Sequence, residues 1–518
     1  MIKLTIDNKS VEIEEGSSLL DAANKLGIEI PTMCHLKGYS NHPSCMVCMV
    51  KDLDKGTLHP SCAFPAQNHM NISTTDTEVI EARKDALELL LSDHVGDCEA
   101  PCRVACPAFM DIPNMNRLIA RGKDQEALQL VKEEIALPIV LGYVCSAPCE
   151  KACRRKPMDG ALTICQLKKY VALEDAKSEN PYLPEKAKNT SKKIAVVGAG
   201  IAGLSAAFHL VKLGNQITVF EKEDKAGGTL CEISTELPAE MLELEIKLLQ
   251  QFGIDIKCNS IVDDSHFQRL AKEYDSLILA NGLVDSDWAK QNMLELNAQG
   301  KELLVDKTTF ETSIKGIFAC GSVVREQKMA VQALAHGKLV AHQVHEHLNK
   351  NSIPNKRSYF NSKFGKLAES EFIVYLVEGK DNDAVSLESK LHSLSADQAK
   401  IEAERCMHCD CRKVNTCKLR DYGQQYKVDQ KAYQTSERNK LKKQFTHSEI
   451  VYEAEKCIRC GLCVDIANAE KEELGLTFVG RGFDVRIGVP LNETMDRTLT
   501  KVAIKCAEAC PTGALALK

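Results

Sequence analysis

No apolar stretch in these 518 residues approaches the roughly 20 that a bilayer-spanning helix needs, and the longest, near Ile135 to Val144, falls far short. The opening MIKLTIDNKSVEIEEG has no basic region followed by an apolar core; it alternates apolar and polar residues like a strand. Export and membrane insertion are therefore not expected, and a cytoplasmic location is. A surplus of positive charge is also missing. The formal net charge is -6, which removes the electrostatic reason to bind nucleic acid. No repeat of the solenoid kind appears.

What the chain has in quantity is cysteine, 23 in all. Without an export signal these read as metal ligands or redox centres rather than disulfides. The length exceeds what one core usually organises, so several domains are expected. Five segments emerge: residues 1–78, 79–180, 190–350, 351–445 and 446–518. The expected fold class is multidomain α/β and α+β. The first segment predicts two short strands, Lys3–Asp7 and Ser10–Glu14, and a capped helix at about Ser17–Leu26, as in a β-grasp module. The second is helical by periodicity. The third alternates strand, glycine turn and helix, as in a doubly wound nucleotide-binding fold. A polar linker lies at about Ser178 to Thr190, and 351–400 is weakly patterned. A lysine- and glutamine-rich connector covers about 423–445.

Cys34, Cys45, Cys48 and Cys62 run C-x10-C-x2-C-x13-C just after the first module, three thiols from one loop and one more distant. A [2Fe–2S] cluster takes four such thiolates, and a zinc knuckle is the alternative. The first gap departs from the plant ferredoxin spacing. The pattern resembles the N-terminal ferredoxin module of the iron–sulfur large subunit of NADH dehydrogenase (complex I) and of related hydrogenases and formate dehydrogenases.

Next come GDCEAPCRVACPAFMDIP and GYVCSAPCEKACRR, with a thiol at every fourth position and prolines at 101 and 148 that favour a loop entering a helix over an unbroken one. These runs resemble the N-terminal domain of the glutamate synthase small subunit and of dihydropyrimidine dehydrogenase, where they interleave to hold two [4Fe–4S] clusters. The resemblance implies Cys98, Cys102 and Cys153 for one cluster, and Cys106, Cys145 and Cys149 for the other. Each set lacks a fourth ligand; three residues before Cys98, this chain has Val95 where the family pattern carries a further cysteine. His94, placed H-x3-C before Cys98, resembles the histidine ligand of the complex I subunit and is the candidate there; a solvent-facing histidine is the alternative. Cys165, beside the position where dihydropyrimidine dehydrogenase uses glutamine, is the candidate for the second cluster, against a buried core thiol.

Cys406, Cys409, Cys411 and Cys417 fall within twelve residues, and packing has no use for Cys-x-Cys. They are expected to hold one [4Fe–4S] cluster, with zinc as the alternative. KCIRCGLCV and CAEACPTGAL then look like a two-cluster ferredoxin that has lost one cluster: Ala467, Thr500 and Ala503 occupy three of its ligand positions. The surviving cluster is expected on Cys457, Cys460, Cys463 and Cys510, leaving Cys506 unemployed. The nearby GRGFDVRIGVPL again resembles the complex I, formate dehydrogenase and hydrogenase subunits. Cys231, Cys258 and Cys320 are not assigned to clusters.

KIAVVGAGIAGLSAAFHL is a strand, then Gly198-x-Gly200-x-x-Gly203, then a helix, a turn that brings a pyrophosphate to a helix N-terminus. Glu221 ends the following strand, where a carboxylate can accept from a ribose hydroxyl. Further on lie Gly227-Gly228-Thr229-Leu230, Asn281-Gly282 and Gly321-Ser322. The ordered set resembles the FAD-binding halves of the glutamate synthase small subunit family and implies FAD; Ser322 stands where that family usually has an aspartate to hold the ribityl chain. The family's second nucleotide domain is missing, because only 33 residues separate Gly282 from Gly316 and no second GxGxxG exists.

The expected function is an electron-transfer subunit with one FAD, one [2Fe–2S] and four [4Fe–4S] clusters, inside an NAD(P)H-linked oxidoreductase such as a hydrogenase or formate dehydrogenase complex. Electron bifurcation at the flavin is left open. The expected partners are an NADH-oxidising flavoprotein and a catalytic subunit, with ferredoxin another candidate. A self-sufficient flavoenzyme reducing a small molecule is the alternative, and no catalytic acid, base or nucleophile can be named.

Overall fold

The N-terminal alternation becomes two antiparallel strands, Ile2–Ile6 and Lys9–Ile13, paired Ile2 to Ile13 through Ile6 to Lys9, each one residue earlier than expected. Ile2, Leu4, Ile6, Val11 and Ile13 all face one core, as the period of two requires. A computed structural model of the chain describes every residue except 233–234, 351–357, 377–378, 434–440, 442–444 and 483–484. Parts of the 351–400 stretch, the 423–445 connector and the GRGFDVRIGVPL segment thus lie outside the described residues.

The chain forms two compact units, neither contiguous in sequence. The first comprises Met1–Ala100, Ser358–Val377 and Cys409–Lys518; the second comprises Pro101–Arg357 and Glu378–His408.

In the first unit the two strands join Asn71–Ser73, Met49–Asp52 and Thr57–Pro60 in one five-stranded mixed sheet. The helix Leu19–Lys25 crosses it. Ser18 caps that helix by accepting from the Asp21 amide at 3.1 Å, while the Asp21 carboxylate accepts from the Ser18 amide at 2.9 Å. Such a box stabilises a helix start by about 1 kcal/mol. The C-terminal part of the unit has a three-stranded antiparallel sheet of Phe445–Thr446, Ile450–Tyr452 and Leu515–Leu517, with helices Leu462–Ala469 and Ala503–Ala509 packed on it. A further apolar cluster, including Met33, Val47, Leu87, Leu91, Leu419 and Leu462, ties segments of this unit that lie hundreds of residues apart.

In the second unit, helices Ile112–Ala120, Asp124–Glu134, Pro138–Val144 and Ile164–Ala176 form the helical part. Helices begin at Pro101 and Pro148, as the missing N–H of proline favours. The helix Ala396–Glu404, in the weakly patterned stretch, packs here, and Arg405 at its end bonds Glu402 at 3.0 Å and Asp159 at 3.2 Å. A five-stranded parallel sheet follows, with Ile317–Ala319, Ser276–Leu279, Lys193–Val197, Gln216–Phe220 and Ile254–Lys257 side by side in that order. Its inner strands are buried along most of their length, as parallel strands covered by helices must be. Between the adjacent strands Ser276–Leu279 and Ile317–Ala319 the described chain holds one short helix, Ser286–Gln291. Among the described residues no helix is long and apolar enough to cross a membrane.

Candidate cluster and nucleotide sites

The four N-terminal thiols converge at one edge of the first sheet. Cys48 precedes the strand Met49–Asp52 and Cys62 follows Thr57–Pro60, while Cys34 and Cys45 bound the loop between. All four are buried, and the sulfurs of Cys34 and Cys45 are 3.4 Å apart. Met46, with φ 55°, turns the C-x2-C segment back on itself. The hydrogen bond with Cys45 holds the Cys34 thiol well below its usual range, and Cys62 does the same for Cys48, drawing it to about 7. Thiolates packed this closely repel one another unless a cation joins them, and iron meets that requirement.

In the second unit Cys106, Cys145, Cys149 and Cys165 line one cavity together with Met110, Ile112 and Lys168. Cys145 ends the helix Pro138–Val144, Cys149 lies in the first turn after left-handed Ala147, and Cys165 opens the helix Ile164–Ala176, its amide donating to the Glu150 carboxylate at 2.9 Å. The Cys145 thiol pulls Cys165 down, but Cys149 and burial together push it up to about 12. Burial opposes the charge of Lys168, and the four thiols around it more than offset that, so its ammonium is raised. A fixed cation beside anionic sulfur suits a cluster of net negative charge. Cys102 and Cys153 are half-buried against the same core, and Cys406 is buried within it.

The C-terminal thiols Cys457, Cys460, Cys463 and Cys510 line a cavity with Tyr452, Leu462 and Ile487. Gly461, at φ 80°, makes the turn that lets Cys460 and Cys463 face the same space. Cys506 does not line it; its sulfur meets the Cys463 carbonyl at 3.6 Å. The run 406–417 is divided, with Cys406 in the second unit and Cys409, Cys411 and Cys417 in the first. His94 is half-buried, with no hydrogen-bond partner at Nδ1. Burial and then Lys456 push its imidazole down to about 4, so it stays neutral. Among the described residues no three His, Cys, Asp or Glu side chains close as they would around a single ion. Ligands to an iron–sulfur cluster stand wider apart, because the cluster itself fills the space between them.

Four glycine-bearing segments meet at the start of the helix Ile201–Lys212. Gly200 pairs with Gly227, and the Gly227 amide donates to the Ala199 carbonyl at 2.9 Å. Gly198, at φ 104°, lies so close to Ala280 and Asn281 that a Cβ there would fall 2.5 Å from the Ala280 carbonyl oxygen. A Cβ on Gly321 would fall 2.8 Å from Ala202. No side chain caps the helix at Gly200, and a Cβ at Gly200 would meet nothing within 4 Å. That open cradle before unpaired helix amides fits a pyrophosphate. Glu221 is buried and accepts from the Ala199 amide at 2.7 Å, which fixes its carboxylate at the end of its strand. Gly228 and Leu230 lie on the short helix Gly228–Glu232 with exposed Thr229; Gly282 follows Asn281, and Ser322 is half-buried beside Gly321. Leu230 also borders a cavity of about 380 Å³ with Leu242, Glu243 and Ile256. Cys320 is fully buried, which pushes its thiol up to about 12, consistent with a packed side chain.

Two features escape the sequence pattern. Lys168 is one; His336 is the other, its Nδ1 accepting from the Gly321 amide at 3.0 Å. Burial first, and Arg325 second, push His336 down to about 4 from 6.5. The folded form therefore binds fewer protons than the unfolded chain between those values, and stability falls as pH drops from about 6.5 toward 4, by up to about 3 kcal/mol. Acid titration of the flavin-loaded protein is expected to release FAD across this window, and His336→Gln to flatten the profile; a profile unchanged by the substitution counts against this role.

Comparison with known proteins agrees with this division of labour. Residues 1–77 match the 2Fe-2S iron-sulfur cluster binding domain family, residues 81–180 match dihydropyrimidine dehydrogenase domain II with its 4Fe-4S cluster, and residues 155–337 match the pyridine nucleotide-disulphide oxidoreductase family. The chain is 36% identical over 208 residues to the NADP(+)-dependent formate dehydrogenase subunit beta of Moorella thermoacetica, covering 36% of this chain and 29% of that one. It is 36% identical over 203 residues to the glutamate synthase [NADPH] small chain of Bacillus subtilis, covering 36% and 40%. To the NAD-dependent dihydropyrimidine dehydrogenase subunit PreT of Salmonella typhimurium it is 31% identical over 226 residues, covering 42% and 53%. The chain thus matches about half or less of the length of these relatives.

Proposed function

We propose that this chain, built from iron–sulfur and flavin-type oxidoreductase domains, is an electron relay with one FAD, one [2Fe–2S] and four [4Fe–4S] clusters, acting within a multi-subunit NAD(P)H-linked oxidoreductase such as a formate dehydrogenase or hydrogenase complex. The observation that carries this reading is the parallel sheet: the two strands that would flank a hydride-donor domain are neighbours joined through one short helix. Electrons from NAD(P)H then enter through a partner. FAD, when bound, exchanges two electrons where clusters exchange one, which suits a relay between partner active sites. Of the chain's own residues, Gly200 would cradle the pyrophosphate and Glu221, held by the Ala199 and Glu223 amides, would meet the ribose. The relatives include subunits of oxidoreductases, which supports a multi-subunit complex; an NADH-oxidising flavoprotein and a catalytic subunit are the partners we propose within it.

The purified chain is expected to bleach in visible absorbance with dithionite under argon and to stay oxidised for minutes with NADH or NADPH. Prompt bleaching by either nucleotide without a partner would overturn the relay. The cavity beside Leu230 favours a second reading, reduction of a small molecule at the flavin, which requires turnover with an added acceptor and dithionite-reduced protein.

A further inference from the structure

The run Cys406–Cys417 is compact in sequence but falls in both units, and each part meets thiols from far away in the chain. In the first unit the Cys411 amide donates to the Cys98 carbonyl at 3.1 Å. The Cys98 amide donates to the Ser362 carbonyl at 3.2 Å, and the Ser362 amide points back at the Cys98 sulfur at 3.4 Å. Cys417 caps the helix Lys418–Gln425, whose Arg420 reaches the carboxylate of Glu99, next to Cys98, at 2.8 Å. Three separate segments are therefore stitched around Cys98, Cys411 and Cys417, all three of them buried.

The imidazole of His94 lies beside Lys456, whose charge and backbone both act on it. The stem of that lysine runs within 2.6 Å of where a Cβ on Gly96 would lie and within 3.8 Å of one on Gly513, and the Cys411 sulfur is 2.2 Å from the latter point. The absent side chain at Gly513 is what leaves Cys411 its room. In the second unit Cys406 lies just past the helix Ala396–Glu404, which packs on Ile112–Ala120, and it shares a core with Cys102 and Cys153.

We propose that Cys98, Cys411 and Cys417, with His94 as fourth ligand, hold one [4Fe–4S] cluster, and that Cys406 serves a different cluster with Cys102 and Cys153. This rests on the relay reading only for the presence of clusters. It regroups the ligands of two sets, giving three thiols to the second and leaving Cys409 outside both, so the consecutive cysteines of 406–417 do not share one cluster. The electrostatics agree: beyond burial, Cys411 and Cys417 push Cys98 up to about 12, and Cys153 acts on Cys406. Lys456, buried and bonded to Glu453 at 2.6 Å, supplies a cation beside Cys411.

Single serine variants of the full chain, purified without oxygen and followed by redox-titrated electron paramagnetic resonance, distinguish the two groupings. Cys98→Ser and Cys411→Ser are expected to shift or abolish the same signal, and Cys153→Ser and Cys406→Ser a different one. If Cys406→Ser and Cys411→Ser alter one common signal while Cys98→Ser alters another, the proposal fails. Because serine variants can fail to fold, the unaltered protein provides a second measurement. Histidine labelled with nitrogen-15 should give a strongly coupled imidazole nitrogen on one cluster by pulsed resonance, lost in His94→Cys with iron content retained; no coupling in the unaltered protein overturns the assignment of His94.

Discussion

Gly200→Ala is expected to lower bound FAD at least about tenfold while leaving iron content and thermal unfolding nearly unchanged. A loss of that size corresponds to about 1.4 kcal/mol of binding. The separation of the two effects comes from where the added methyl would go. At Gly200 it meets no protein atom within 4 Å, so the folded chain accepts it. The space it takes is the cradle in front of the first amides of the helix Ile201–Lys212, where a phosphate must come close to the backbone. Gly203→Ala makes the control, since its methyl would lie 2.1 Å from the Gly198 carbonyl oxygen and must disturb the turn itself. Flavin released on denaturation, measured against iron and melting temperature, reads both. Full FAD occupancy in Gly200→Ala would remove the pyrophosphate from this turn.

Cys165→Ser should cost a whole cluster, about four of some 18 iron atoms per chain, and Cys506→Ser should cost none. Both residues are buried cysteines, and composition does not separate them. Position does: Cys165 shares a cavity with Cys106, Cys145, Cys149 and the cation of Lys168, whereas Cys506 stands outside the cavity of Cys457, Cys460, Cys463 and Cys510. A core thiol replaced by serine leaves iron unchanged, so colorimetric iron with cluster spin quantitation decides the role of Cys165. Unchanged iron in Cys165→Ser would leave that cluster in need of another ligand.

The sequence was most legible where chemistry is local. The alternating N-terminal residues, the capped helix near Ser17 and the Gly198-x-Gly200-x-x-Gly203 turn each depend on neighbours a few positions away, and all appear within a residue or two of expectation. The helix Ala396–Glu404 was equally local and went unseen, although Ser395 and Gln398 form a capping box. Spacing also marked which loops carry thiols. It could not say which loops meet. Cys98 and Cys411 are joined by a backbone hydrogen bond across a long stretch of intervening chain, and no periodicity encodes that pairing. Lys168 and His336 were missed for a related reason: nothing in the local helix pattern singles either out, and its role exists only through groups folded against it.

The discontinuity of the first unit also sets a timetable for synthesis. Its N-terminal sheet and the four thiols from Cys34 to Cys62 leave the ribosome early and can be loaded with iron while translation continues. The partners of Cys98 emerge only after the whole five-stranded parallel sheet. Domains tend to fold in the order in which they appear, but here the first-born must wait half-finished for the last-born. Until then Cys98 stands without the segments of Ser362 and Cys411 that enclose it in the finished fold.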